Sequence, residues 1–377
     1  MNNRVCKKTV MDNTDPDIIF DENGVSNHWH NYFKKLKDFH TNSTLRDEKF
    51  NKIINEIKKS NSQKDFNCII GVSGGVDSTY ACYIAKKNGL RPIAVHFDNG
   101  WNSEMAVSNI EKTLKKLEID LFTYVVDWNE FKDIQLSFLK ASTPDAEVPT
   151  DHGMIALLYK TAYRLGIKHI LTGVNVSTES LLPLRWGYGY FDLRYIKGIQ
   201  KKFGTEKIKS FPTISLFQLL FYSKICGIKF ISFLDYIDFN KDVALRTIKD
   251  KLDWQYYGGK HYESVYTRFF QAYILPKKFN IDKRKAHFSN LICSNQMSRE
   301  EALIELKKDI YPPEKLEIDK RFVLNKFNLS EDEFDNIINS EVKYFDNYKT
   351  NYQLFETLKK LKKFLSRNLK INFLEIE

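Results

Sequence analysis

The stretch Phe66-Asn-Cys-Ile-Ile-Gly-Val-Ser-Gly-Gly-Val-Asp-Ser78 constrains this chain more than any other. An apolar run ends abruptly in Ser73-Gly74-Gly75-Val76-Asp77-Ser78, which reads as a buried strand, a glycine turn and a helix start. Adjacent glycines let backbone approach a bulky anion with no Cβ in the way, and the N–H groups opening the helix then point at it. Phosphate is the natural guest. The order S-G-G-x-D-S excludes the P-loop G-x-x-x-x-G-K-[ST] and the dinucleotide fingerprint G-x-G-x-x-G. A glycine-rich turn without a ligand uses the same residue types, but here strand, turn and helix all sit where a phosphate loop needs them.

The flanking pattern predicts a doubly wound α/β fold with a mostly parallel sheet. A helix over 43–60, with Leu45, Phe50, Ile53, Ile54 and Ile57 on one side, leads into the loop strand. Strand 92–97, helix 103–117, strand 121–126 and a helix near 129–140 continue a βαβ order. In such a sheet the ligand crevice lies beyond the strand C-termini. Asp98, after the second strand, and Gly173, after strand 169–172, therefore face the crevice with Ser73 to Ser78. Asn175, Thr178 and Glu179 line its edge, although a capped turn accounts for the same residues.

The segment Thr143-Pro-Asp-Ala-Glu-Val-Pro-Thr-Asp-His152 concentrates Asp145, Glu147, Asp151 and His152 before a helix over 151–165. Thr150 suits its N-cap and Asp151 its dipole, which leaves Asp145 free for a magnesium ion or a substrate group. Further on, Phe217 to Phe230 reads as a buried helix and turn. A second dense stretch, Trp254 to Ser264, carries Gly258 and Gly259 for close backbone approach. Lys260 and Arg268 are there to neutralise phosphate; a glycine turn with solvated cations is the plainer alternative. Asp282-Lys283-Arg284-Lys285-Ala-His287 packs three cations into six residues, as a solvated face or a phosphate clamp. Ser298 to Glu301 and Ser330 to Glu333 are capping boxes.

Four regions follow: an N-terminal lobe at 1–60, a nucleotide core at 61–200, a helical substrate and clamp region at 201–300, and a helical C-terminal extension at 301–377. The formal charge of +10 suits anionic ligands or a lysine-rich exterior. The five scattered cysteines argue for reduced thiols, and no apolar run is long enough to span a membrane, so a cytoplasmic protein is expected. Cys6, with Thr9, Ser26 and Trp29 at the matching positions, is a poor zinc knuckle.

The loop resembles the pyrophosphate loop (PP-loop) of the ATP pyrophosphatases, which cleave ATP between its α and β phosphates. Longer words resemble the N-acetyl sugar amidotransferases of the WbpG and PseA type. They are Asp12-Asn-Thr-Asp-Pro16, Phe20-Asp-Glu-Asn-Gly-Val25, Pro144-Asp-Ala-Glu-Val-Pro-Thr-Asp151, Tyr256-Tyr-Gly-Gly-Lys-His-Tyr-Glu-Ser264, Asp282 to His287 and Leu291-Ile-Cys-Ser294. The resemblance spans about residues 4 to 305 and departs at the N-terminus, where members carry paired cysteines. It implies an ATP-dependent conversion of a sugar acetamido group to acetamidino, in lipopolysaccharide O-antigen or nonulosonic-acid synthesis. Ammonia would come from a separate glutaminase, with a barrel-shaped partner as conduit.

Under that expectation Ser73, Gly74, Gly75, Val76 and Ser78 cradle pyrophosphate, and Asp77, with Asp145 or Asp151 behind it, holds Mg²⁺. Lys260 and Arg268 stabilise phosphate charge, and Glu263, Asp151 or His152 takes a proton from ammonia. Asp145, Asn175, Glu179, Gly259, His261, Lys283 and Arg284 are the substrate-facing set. The rivals are a tRNA-modifying enzyme of the same superfamily, against which the missing C-x-x-C pairs and RNA-binding motif count, and a non-catalytic ATP-binding relative.

Overall fold

The computed structural model describes residues 4–39, 43–259 and 262–369. Two antiparallel bridges, Val5 with Asp12 and Phe20 with Ser26, fold the N-terminal lobe ahead of α1 (Asn27–Phe39) and α2 (Ser43–Ser60). The sheet then begins with β1 (Cys68–Gly71), followed by α3 (Val76–Lys87), β2 (Pro92–Asp98), α4 (Glu104–Leu117) and β3 (Leu121–Val125). Next come α5 (Trp128–Lys140), α6 (Val148–Leu165), β4 (His169–Thr172) and the short α7 (Val176–Glu179).

Five strands lie in the order β3-β2-β1-β4-β5, every neighbouring pair parallel. Because β1 to β3 step outward one way and β4 returns to the other side of β1, the order reverses between β1 and β4. That switch point is where an open α/β sheet leaves a crevice at its strand C-termini. Side chains alternate across the sheet. Ile69, Val95, Phe97 and Ile170 face α5 and α6, whereas Cys68, Ile70, Ala94 and Leu171 face α2, α3 and α4. Both faces are covered, as an all-parallel sheet requires.

The expected α6 start moves. Val148 opens the helix with Pro149 in its first turn, where a missing N–H costs nothing, so Thr150 is inside the helix and not its cap. Beyond α8 (Leu193–Phe203), the 217–230 run is also corrected. It forms α9 (Leu216–Leu220), a π-turn over Phe221–Ile225 and the edge strand β5 (Lys229–Ser232). Phe217 and Ile225 are 83% and 76% exposed, so this run is not a buried helix.

The chain then packs α10 (Lys241–Leu252) on α3 and enters the helical half. This comprises α11 (Val265–Phe269), α12 (Leu275–Phe279), α13 (Lys283–Cys293), α14 (Arg299–Leu306), α15 (Pro313–Phe327), α16 (Glu331–Asn339) and α17 (Tyr352–Leu369). Both capping boxes are present, at Ser298 with Glu301 and Ser330 with Glu333. Phe269, Phe327 and Phe334 join the cluster that holds Ile69 and Phe97, so this half shares the core beneath the sheet. Among the described residues no helix is long and apolar enough to cross a membrane.

Candidate active site

Between β1 and α3 the loop closes on itself. Ser73 N–H donates to Ser78 Oγ at 3.3 Å, Gly75 N–H to Ser73 Oγ at 3.3 Å, and Ser78 Oγ to the Gly75 carbonyl at 3.2 Å. Gly74 has φ +82°, and a Cβ there would stand 2.7 Å from the Ala106 carbonyl oxygen. Only glycine fits without moving backbone. Gly173, just past β4, is equally confined: a Cβ there would meet Asp77 C and Ser78 N at 2.6 Å. The two strands flanking the switch point therefore bring Ser73 to Ser78 and Gly173 together. Asp77, in the first turn of α3, accepts a 3.5 Å hydrogen bond from Thr178 Oγ1, while Asn175 caps α7 by accepting from Thr178 N–H.

The second dense stretch arrives at the same place. Asn102 and Ser264 form an antiparallel bridge, Ser103 N–H donates to the Glu263 carbonyl at 2.8 Å, and Val265 N–H to the Trp101 carbonyl at 2.8 Å. From the other side, Trp254 Nε1 donates to the Gly74 carbonyl at 3.0 Å. A Cβ on Gly75 would stand 3.3 Å from Glu263 Oε1 and 3.4 Å from the Tyr257 hydroxyl, so both groups hang over the loop. Burial, then the charge and hydrogen bond of Glu263, push the Tyr257 phenol far up, which keeps it a neutral donor to that carboxylate.

A rim network that sequence reasoning missed ties these pieces together. His96 Nδ1 lies 2.9 Å from the Val72 carbonyl and so carries the proton, leaving Nε2 to accept from Asn102 Nδ2 at 3.0 Å. Asn102 also donates to Asp98 Oδ1, and Asn99 Nδ2 donates to Thr150 Oγ1 at 3.1 Å. The signal for His96 was its place near the C-terminal end of a strand whose crevice role was already expected.

Other expected site residues are used elsewhere. His152 is fully buried on α6, with Nδ1 donating to the Tyr190 carbonyl at 2.8 Å and Nε2 accepting from Ile214 N–H at 3.2 Å. Burial lowers its pKa to about 4, so it is a neutral structural group with no nitrogen left for ammonia. Asp145 is corrected likewise. It is buried, with the Tyr195 hydroxyl donating to its carboxylate from 2.9 and 3.0 Å of the two oxygens and Thr143 and backbone adding hydrogen bonds, and burial pushes its pKa up to about 6.

Arg268 is paired with Asp319 of α15. Arg284 grips Asp282 and the carbonyls of Glu305, Leu306 and Lys308 at the end of α14, which makes it a helix-end clasp. Lys285 pairs with Asp12 of the N-terminal lobe at 2.5 Å. Lys283 opens α13 beside them, and Glu179 ends α7. Asp151 is exposed in the first turn of α6, and Gly259 packs against the Tyr262 ring. Lys260 and His261 lie outside the described residues.

Asp77 fits a magnesium ion, which keeps several waters and needs only one or two protein carboxylates beside nucleotide phosphates. Asp145, its oxygens held by Tyr195, does not. In the lobe, Cys6 Sγ accepts from Ser26 N–H at 3.3 Å, and Arg299 donates to the Cys6 and Thr9 carbonyls. Among the described residues no group of three or more His, Cys, Asp and Glu could hold a metal ion.

Residues 67–183 match the family model described as queuosine biosynthesis protein QueC, and residues 263–362 the one described as LPS biosynthesis protein WbpG-like, C-terminal domain. A 7-cyano-7-deazaguanine synthase of Aliarcobacter butzleri is 34% identical over 135 residues, covering 32% of this chain. The match spans 58% of that relative's length.

Similar solved structures include an NMN synthetase from Francisella tularensis, with 15% identity, 77% of this chain and 97% of that one covered, and a TM-score of 0.33. Another is an NH3-dependent NAD synthetase from Campylobacter jejuni, with 19% identity, 56% and 87% coverage, and a TM-score of 0.30. With a QueC-type core around the S-G-G-x-D-S loop and a WbpG-like segment bridged to it through Ser264, the chain is a WbpG-like member of the PP-loop family.

Proposed function

We propose that this chain is an ATP-dependent amidotransferase that converts the acetamido group of an N-acetylated, nucleotide-linked sugar to acetamidino, serving lipopolysaccharide or related surface-sugar synthesis. The observation that carries this is the pairing of Glu263 with Tyr257 over Gly75, which sets a proton acceptor beside a phosphate cradle.

An amide oxygen is a poor leaving group, so it first attacks the α-phosphorus of ATP and pyrophosphate departs. Ammonia then adds to the activated carbon, Glu263 takes the proton it loses, and AMP leaves with the amidine. The N–H groups of Gly75 to Ser78 cradle the departing pyrophosphate. Asp77 would hold magnesium together with the nucleotide, and the ion would supply neutralising charge there. Of the two cations expected at the phosphates, Arg268 is committed to Asp319, and Lys260 lies outside the described residues.

Ammonia comes from a separate glutaminase, with a barrel-shaped conduit. Supporting this, Cys68, Cys82 and Cys293 are buried, and burial pushes their thiols up, those of Cys82 and Cys293 to about 12, which unfits these three as glutaminase nucleophiles.

The test is release of pyrophosphate and AMP from ATP on adding an N-acetylated nucleotide sugar and ammonium chloride at high pH, with the amidine identified by mass. No AMP and no amidine would end the proposal. Likeness to a 7-cyano-7-deazaguanine synthase favours a second reading, a deazapurine acceptor, and the same assay with that acceptor separates the two.

A further inference from the structure

Lys326 sits in the last turn of α15, yet its ammonium reaches the crevice rim. It donates to the Gly100 carbonyl and lies 4.5 Å from the ring centroid of Trp128, 4.7 Å from that of Trp101 and 5.5 Å from that of Phe322. Three ring faces and a carbonyl stand in for part of the water around this half-buried lysine. A cation that served α15 alone would turn back onto its own last carbonyls. This one points away, and α15 is closed without it by Asn328 in the left-handed conformation at φ +56°.

What Lys326 grips is the junction of the whole site. Gly100 has φ +78° and lies between Asp98 and Trp101. Asp98 accepts from Gly100 N–H at 2.9 Å and from Asn102, whose amide also reaches His96, and His96 is bonded to Val72 at the mouth of the phosphate loop. One residue further, the Trp101 carbonyl accepts from Val265 N–H, and Ser103 N–H donates to the Glu263 carbonyl. A shift of Gly100 therefore moves the phosphate loop and Glu263 relative to each other.

We infer that Lys326 is a positioning residue, by which the helical half sets the Asp98 to Trp101 loop in the geometry the nucleotide site needs. The inference rests on the ATP reading above. Its prediction is that Lys326→Met, which keeps the apolar stem in the aromatic box but loses donor and charge, raises KM for ATP about tenfold or more. Lys326→Arg, which keeps both, should stay within about threefold of wild type.

ATP binding is measured by calorimetry and pyrophosphate release by steady-state kinetics, with the unfolding midpoint followed in each variant. A Met variant that loses stability but keeps its ATP affinity within about twofold overturns the inference. So does an Arg variant whose ATP affinity falls well beyond about threefold below wild type, an outcome that is read against wild type and stands even if Lys326→Met fails to fold. A wild-type chain that binds ATP but turns over no N-acetylated sugar sinks the sugar proposal alone, since Lys326 is still judged by ATP affinity. A wild-type chain that binds no ATP sinks both.

Discussion

Arg268 and Asp319 meet in a two-point ion pair, Nε to Oδ2 at 2.6 Å and Nη2 to Oδ1 at 2.7 Å, that fastens α11 to α15. Asp319 is buried, so removing it strands a partly buried guanidinium whose desolvation this carboxylate offsets. Asp319→Ala should cost about 3 kcal/mol in urea unfolding, and Arg268→Lys should not recover the fork geometry. Replacing both by well-packed apolar residues should restore most of the loss. An Arg268→Met variant of wild-type stability whose kcat collapsed would return Arg268 to the phosphates.

His152 makes a prediction of the opposite kind. Burial holds its pKa near 4, below the ordinary value of 6.5, so the unfolded chain binds the proton first. Its stabilising effect is present above about pH 6.5 and is lost as pH falls towards 4, to a total of about 3 kcal/mol. His152→Gln should flatten that part of the stability profile. It should leave the apparent pKa values of the pH–rate profile where they are, because the ring touches Tyr190 and Ile214 and no reacting atom. A lost acid-side limb in the rate profile would make His152 the base after all.

The parts legible in the sequence were local ones. The strand, glycine turn and helix at 68–87 lie within twenty residues, and the capping boxes within four. The crevice position of Asp98 and Gly173 followed from a general rule about parallel sheets. What was not legible depends on partners far along the chain. Nothing near Lys285 reveals Asp12, 273 positions away, and nothing near His152 reveals Ile214. Residue type alone makes the same arginine a phosphate clamp or a clasp on the end of α14. The edge strand β5 hid for a different reason: four residues after a long apolar run carry too little alternation to separate strand from helix.

The N-terminal lobe tests whether hydrogen bonds replace a metal. Burial would raise the Cys6 thiol, but hydrogen bonds from Ser26, Thr9 and nearby backbone outweigh it and hold the thiol below its ordinary value. Arg299 fastens the Cys6 and Thr9 carbonyls from α14. Purified protein should therefore carry no stoichiometric zinc by atomic emission, and excess chelator should leave its unfolding midpoint unmoved. Arg299→Ala should lower that midpoint, since it leaves two carbonyls without their donor. A chelator-induced drop would mean the lobe is a metal site.

Gly74 and Gly75 are adjacent and should fail differently. At Gly74 an alanine would have to hold φ +82° with its Cβ 2.7 Å from the Ala106 carbonyl oxygen, so backbone must move. Gly74→Ala should cost about 2 kcal/mol of stability and also lose pyrophosphate release. Gly75 has φ −75°, and the nearest atoms a Cβ there would meet belong to the side chains of Ser73, Glu263 and Tyr257, at 3.2 to 3.4 Å. Gly75→Ala should therefore fold within about 1 kcal/mol of wild type, yet bind ATP poorly because the methyl fills the cradle under Glu263. Unfolding curves and ATP titrations on the two variants separate these outcomes. If Gly75→Ala keeps both its stability and its ATP affinity, phosphate does not sit against this turn, and the nucleotide site must be sought elsewhere along the crevice.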